Sequence, residues 1–211
     1  MPISLNSTPF IPYKEQNDLA LTKEYYASLS QDAYHVAINP NYKHITYDFK
    51  AGKQLTGYFA RAHIFAKKET GECHVIIAHR GTNSILDLGS NINIFLQNAP
   101  EQIKNAKAFT KEVEEFCKKK DFNIKSMEHT GHSLGAVLAG IMGAINNQKA
   151  TLFDSPGLKE IIGKIGFVAL ENARKNITIY NGRPNPINML HTQVGNVIVN
   201  KVKTHAIAGF M

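Results

Sequence analysis

An α/β architecture, a mostly parallel twisted sheet with helices on both faces, is what this 211-residue chain predicts. Three observations carry that reading. From residue 73 onward, short strand-like runs alternate with stretches of helical length and spacing, the pattern of repeated strand–helix–strand units. Between one such strand and its helix stands Gly131-His132-Ser133-Leu134-Gly135, a Gly-x-Ser-x-Gly turn of the kind that holds a serine up at the carboxyl edge of a parallel sheet. Composition is ordinary for a globular domain, with 43% hydrophobic and 19% charged residues. There is no internal repeat, low-complexity segment or obvious linker, so residues 1–211 are expected to form one domain.

The elements follow in order. After an irregular start, residues 18–30 have helical spacing through Leu19, Leu21, Tyr25, Tyr26 and Leu29 and run on into Ala33-Tyr34, before an Asn/Pro-marked turn at residues 39–41. Residues 57–66 and 73–78 read as two strands joined by a turn at residues 69–72. Residues 101–120 form an amphipathic helix on Ile103, Ala106, Phe109, Val113 and Phe116. Residues 122–127 are a short strand leading into the glycine-rich turn, and residues 136–145 are apolar all round, as a helix buried on most sides should be. A strand at 150–153, a turn at 154–157, a helix over 158–175 and a strand at 177–180 come next. An Asn- and Pro-rich loop at 181–193 and a last strand at 194–202 lead to His205.

Composition also narrows the chemistry. The two cysteines, Cys73 in a strand and Cys117 in a helix, read as small core residues and not as a disulfide, and no Cys/His spacing of a zinc site occurs. No metal or organic cofactor is called for. No run approaches the ~18 apolar residues of a membrane span. The first residues lack a basic start followed by an apolar block, so the expected location is cytoplasmic, or outside by a route needing no N-terminal signal. Net charge is +7 with a pI near 9.3. Lysines at helix ends and turns, such as Lys118-Lys119-Lys120, account for it, with attraction to anionic surfaces as the alternative. Basic residues are not interleaved with aromatics, and no nucleic-acid partner is expected.

A serine hydroxyl needs a base, and the base needs an acid to orient it. Of nine histidines only His191 and His205 follow Ser133, in the chain order this architecture uses. His205 is the expected base because it follows the last strand; His191, in the preceding loop, is the alternative. Among later carboxylates, Glu160 and Glu171 fall inside a helix, whereas Asp154 ends a strand at the sheet's active edge. Asp154 is therefore the expected acid, against the plainer role of a turn aspartate that accepts backbone N–H groups. Two N–H donors must face the developing oxyanion. Leu134, directly after the serine, supplies one, and Thr82 in Arg80-Gly81-Thr82 the other, with Arg80 anchoring that loop.

The stretch His79 to Asp87, then Thr130-Gly-His-Ser-Leu-Gly-Ala136, then Phe153-Asp-Ser-Pro-Gly157, resembles the class 3 (fungal-type) lipases over roughly residues 60–205. The resemblance implies an α/β-hydrolase in which Ser133 is the nucleophile and Thr82 and Leu134 are oxyanion positions. It also implies a lid after Thr82, where Ile85, Leu86, Leu88, Ile92, Ile94, Phe95 and Leu96 are apolar enough to cover a site or touch lipid. A buried core segment is the other reading of that stretch. One departure stands out. These lipases carry their acid after the strand that is here residues 177–180, whereas this chain offers Asn181-Gly-Arg-Pro-Asn-Pro-Ile-Asn188, without a carboxylate. Either Asp154, one strand earlier, supplies it, or an amide such as Asn185 or Asn188 stands third. The expected function is hydrolysis of carboxyl esters, acyl lipids foremost, through an acyl-serine, with peripheral contact at a membrane surface. The rival is a non-catalytic lipid- or protein-binding module with an incomplete triad.

Overall fold

The computed structural model describes residues 22–31, 42–49, 58–80, 88–202 and 205–210, with the backbone alone for residues 31, 88–99 and 208. Among them, seven strands form one sheet: β1 (Tyr42–Asp48), β2 (Ala60–Lys67), β3 (Glu72–His79), β4 (Asn123–His132), β5 (Ala150–Phe153), β6 (Ile177–Asn181) and β7 (Asn196–Val199). Helices α1 (Lys23–Gln31), α2 (Leu88–Lys119), α3 (Leu134–Asn146), α4 (Lys159–Ile165) and α5 (Phe167–Asn176) accompany them, with a 3-10 turn at Ile207–Phe210. The strands β1, β2 and β3 pair antiparallel, and β3 through β7 pair parallel.

Spatial order equals chain order across the whole sheet. Parallel crossovers are right-handed, so successive ones that advance in one direction lay their helices on one face. The core agrees. Ile64, Val75 and Ile77 pack with Phe109 and Val113 of α2, Val137, Leu138 and Ile141 of α3, and Ala173 of α5. Alternation along the strands turns Phe65, Ile76 and Phe153 to the other face, where Tyr25, Tyr26 and Leu29 of α1 and Ile207 and Phe210 of the 3-10 turn cover them. The expected α/β sheet with helices on both faces is therefore present, and among the described residues the two clusters differ greatly in size.

Several boundaries differ from the sequence expectation, each for a physical reason. Strand β1 was not foreseen, because Tyr-Lys-His-Ile-Thr-Tyr-Asp is mostly polar and only half-buried. Helix α2 starts at Leu88, not at 101, because Pro100 lies inside it where a proline ordinarily marks a first turn. The expected helix over 158–175 is two helices, broken at Gly166, whose φ of 144° no ordinary residue adopts without strain. Strand β4 runs five residues past Met127, and β7 is shorter than 194–202. Cys73 and Cys117 are buried and unbridged. No helix among the described residues is long and apolar enough to cross a membrane.

Candidate active site

The site is assembled where β4, β5 and β6 end. Ser133 joins β4 to α3 with φ 55° and ψ −125°, a strained backbone for a residue with a side chain. Two bonds hold that strain: the Ser133 N–H donates to the Phe153 carbonyl at 3.0 Å, and its carbonyl accepts the Ala136 N–H at 3.0 Å. Gly131 is required by crowding, since a Cβ there would stand 2.4 Å from the Gly135 carbonyl oxygen. Leu134 is the first residue of α3, so its N–H has no preceding helical carbonyl to bond and is available at the helix N-terminus.

Asp154 directly follows β5, also with positive φ (46°), and its N–H donates to the Tyr180 carbonyl at 2.9 Å. Its side chain is fully buried. Four donors surround the carboxylate. Oδ1 accepts the Asn188 Nδ2 amide at 2.8 Å and the Gly182 N–H at 3.0 Å, and Oδ2 accepts the Asn185 amide at 2.9 Å and the His205 Nδ1–H. Burial alone would raise this carboxyl's pKa. The bonds from His205, Asn188, Gly182 and Asn185 outweigh burial and hold it below the ordinary value.

After β7 the chain turns back across the carboxyl ends of its neighbours. The Asn200 N–H donates to the Asn181 carbonyl and the Arg183 N–H to the Val202 carbonyl, both at 2.8 Å. That return brings His205 inward from the sheet's edge. With Nδ1–H committed to Asp154, Nε2 is unprotonated and accepts the Ser133 hydroxyl at 3.0 Å. Of the residues singled out in the sequence, then, Ser133, His205 and Asp154 meet in a linear order. Asn185 and Asn188 bond the carboxylate and not the imidazole. His191 is held at the Pro156–Gly157 turn, its N–H on the Pro156 carbonyl at 2.8 Å. Thr82 lies outside the described residues, as do Ile85 and Leu86 of the expected lid. Leu88 through Leu96 belong to the opening turns of α2.

Sequence reading passed over His132, the variable position of the elbow. Its Nε2–H donates to the His205 backbone carbonyl at 2.6 Å, and its ring lies against the His205 ring with centroids 4.7 Å apart. Burial first, then the neighbouring His205, pushes its pKa down to about 4. His132, Asp154 and His205 each offer a ligand atom within 4.8 Å of the others, the one such trio among the described residues. Their polar atoms are turned toward one another and toward backbone groups, however, an arrangement suited to moving a proton and not to surrounding a cation.

A second buried histidine chain crosses the sheet nearby. The Tyr58 hydroxyl donates to His79 Nδ1 at 3.2 Å, His79 Nε2–H to His129 Nδ1 at 3.1 Å, and His129 Nε2–H to the Gln148 amide oxygen at 2.8 Å. Burial keeps both imidazoles neutral, with His129 at about 4.

Comparison with known proteins gives a family and several similar structures. A family model for the Tle-like phospholipase domain, a phospholipase-like group, matches residues 25–209. An uncharacterized protein of Rickettsia prowazekii (strain Madrid E) is 33% identical over an alignment of 171 residues that covers 70% of this chain and 44% of that protein. The chain thus spans under half the length of this relative. Among solved structures, a Penicillium cyclopium protein described as the N225Q mutant of MDLA is similar with a TM-score of 0.44 and 16% identity, over 75% of this chain and 63% of that one. A triacylglycerol lipase from Penicillium expansum is similar with a TM-score of 0.42 and 13% identity, over 87% and 78%.

Proposed function

The chain belongs to the Tle-like phospholipase domain family, and from that membership and the geometry of its site we propose that it is a serine hydrolase cleaving carboxyl esters of membrane lipids. The observation that carries this reading is the line Asp154–His205–Ser133, with the serine on a strained elbow and the imidazole in the tautomer a general base needs. In this reading Ser133 Oγ attacks the ester carbonyl while His205 Nε2 takes its proton. Asp154 keeps Nδ1 protonated and stabilises the imidazolium that forms. The Leu134 N–H, with Thr82 from the loop after β3 as the second donor, receives the charge on the carbonyl oxygen. Collapse of the tetrahedral intermediate expels the alcohol, which takes the proton back from His205, and water repeats the sequence to release the fatty acid.

A lipid substrate is supported by the family and by the loop that clamps Asp154. That loop exposes Met189 (68%) and Leu190 (41%), with Arg183 exposed at its start, so apolar and cationic groups sit together beside the site. Contact with the surface of a phospholipid bilayer follows as part of the proposal. The rival of a binding module with an incomplete triad loses its motive where a carboxylate reaches the imidazole from β5.

The test is labelling by a fluorophosphonate together with fatty-acid release from phosphatidylglycerol and phosphatidylcholine vesicles. Ser133→Ala should abolish labelling and reduce release by about 10⁴- to 10⁶-fold. Labelling that persists at the wild-type level in Ser133→Ala removes the serine-hydrolase reading.

A further inference from the structure

We propose that His132 is a positioning residue for the base: a neutral imidazole whose Nε2–H fixes the backbone of His205 and whose ring fixes the plane of the His205 ring. The proposal rests on the serine-hydrolase reading above and adds to it a residue outside the three that exchange the proton.

The need for such a residue follows from where His205 sits. Ser133 and Asp154 stand on regular strand ends, β4 and β5, and are pinned by neighbouring strands through the Phe153 and Tyr180 carbonyls. His205 has no such support, since it lies in the segment between β7 and the 3-10 turn, outside any strand. Its side chain is held by Asp154 on one nitrogen and meets Ser133 at the other. Those two contacts leave the imidazole free to pivot unless its own backbone is fixed. His132 fixes it, from the residue directly before the nucleophile, through the 2.6 Å bond to the His205 carbonyl. Nucleophile and base are therefore referenced to the same two residues, His132 at the end of β4 and Ser133 after it, and a shift of the elbow moves both together.

The stacked ring adds a second constraint. The His132 and His205 centroids are 4.7 Å apart with planes inclined at 37°, so rotation of His205 about its side-chain bonds meets the His132 ring. Only a neutral neighbour suits this place, because His205 becomes a cation in the transition state and a second cation at that distance would oppose it. Burial of His132 supplies that neutrality. A hydrophobic residue of similar size would keep the ring contact but not the donor. Glutamine would keep a donor at nearly the same reach.

The experiment compares His132→Leu and His132→Gln with the wild type in ester turnover, in fluorophosphonate labelling rate, and in the downfield proton resonance of the His205–Asp154 bond. His132→Leu should lower kcat and labelling by about a hundred-fold with KM within about three-fold, the size expected when a reacting group loses its alignment by about an ångström. The downfield proton should broaden or vanish in that variant. His132→Gln should recover at least about ten-fold of the loss and restore the resonance, as returning one hydrogen bond would. If His132→Leu fails to fold, His132→Asn, polar but too short to reach the carbonyl, takes its place. A loss-of-donor variant that labels within about three-fold of wild type overturns the proposal, and so does a Gln variant no better than it. Wild-type protein that does not label at all would instead sink the hydrolase reading, so the two failures are distinct.

Discussion

Two hydrogen-bonded chains run through histidine within a few residues of each other, and they differ at their ends. Tyr58–His79–His129–Gln148 and Ser133–His205–Asp154 are both linear, and both run from a hydroxyl to a side-chain oxygen through imidazole. The first ends in an amide and rests on ordinary strand backbone. Every ring nitrogen in it has a fixed partner, so it binds β3, β4 and the α3–β5 turn together and has no proton to give. The second ends in a carboxylate held ionised by four donors, and its serine and aspartate both stand at positive φ. In the proposed mechanism, a terminal charge and a strained hydroxyl are what separate a proton relay from a rivet. Histidine itself is common to both.

That contrast can be broken at its ends. The largest effect is expected at the carboxylate. Asp154→Asn removes the charge that stabilises the imidazolium and reverses the demand on Nδ1, and turnover should fall by up to about ten-thousand-fold with folding retained. Steady-state ester kinetics measure it. If Asp154→Asn leaves turnover unchanged while Asn185→Ala or Asn188→Ala collapses it, the orienting group is an amide and the two chains are chemically alike after all.

The rivet should answer in stability and not in rate. His129→Leu strands the His79 Nε2–H in the interior and removes the partner of the half-buried Gln148 amide oxygen; leaving one buried donor unpaired costs about 1–3 kcal/mol. Thermal or urea unfolding should show a loss of about 3 kcal/mol, while turnover per folded molecule stays near wild type. A large fall in turnover at unchanged stability would mean that the chain feeds the site.

The smallest effect is a pH dependence. His129 and His132 have folded pKa values near 4, below the ~6.5 of an unfolded histidine. Between those values the unfolded chain binds protons that the folded chain refuses, so their contribution is complete above about pH 6.5 and is lost as pH falls toward 4. Urea unfolding across that window should show stability declining with acidity. In His129→Leu the decline should be shallower by about one proton. An unchanged slope would place a proton on this chain in the folded protein.

Much of this was legible in the sequence where a residue type has one physical use. Glycine at 131 is demanded by a crossing helix, the apolar run of α3 by burial on all sides, and Asp154 by being the one late carboxylate at a strand end. The limits were equally physical. Strand β1 escaped notice because exposed Lys43 and Thr46 and half-buried His44 and Asp48 break up its few packed residues, Tyr42, Ile45 and Tyr47, and Pro100 looks the same at a first turn as inside a helix. His132 was invisible because its partner is a backbone carbonyl 73 residues away, which leaves no pattern in side chains. The loop Asn181–Asn188 was read correctly as lacking a carboxylate. That its amides would turn their N–H groups onto Asp154 depended on a fold-back no local spacing records.

The small cluster of described residues on one sheet face has a consequence for control. His205 leads directly into the 3-10 turn, and Ile207 and Phe210 of that turn share a small cluster with Tyr25, Tyr26 and Leu29 of α1. Among the described residues, His205 is thus seated beside the smaller cluster, and Ser133 beside the larger one. Peeling α1 from the sheet would remove the support under the turn while most of the sheet stayed closed. Under the proposed mechanism, such a local opening would unseat His205 while most of the protein stayed folded. A partner or lipid surface that pressed on or pulled at α1 would change the fraction of competent molecules without touching the pocket.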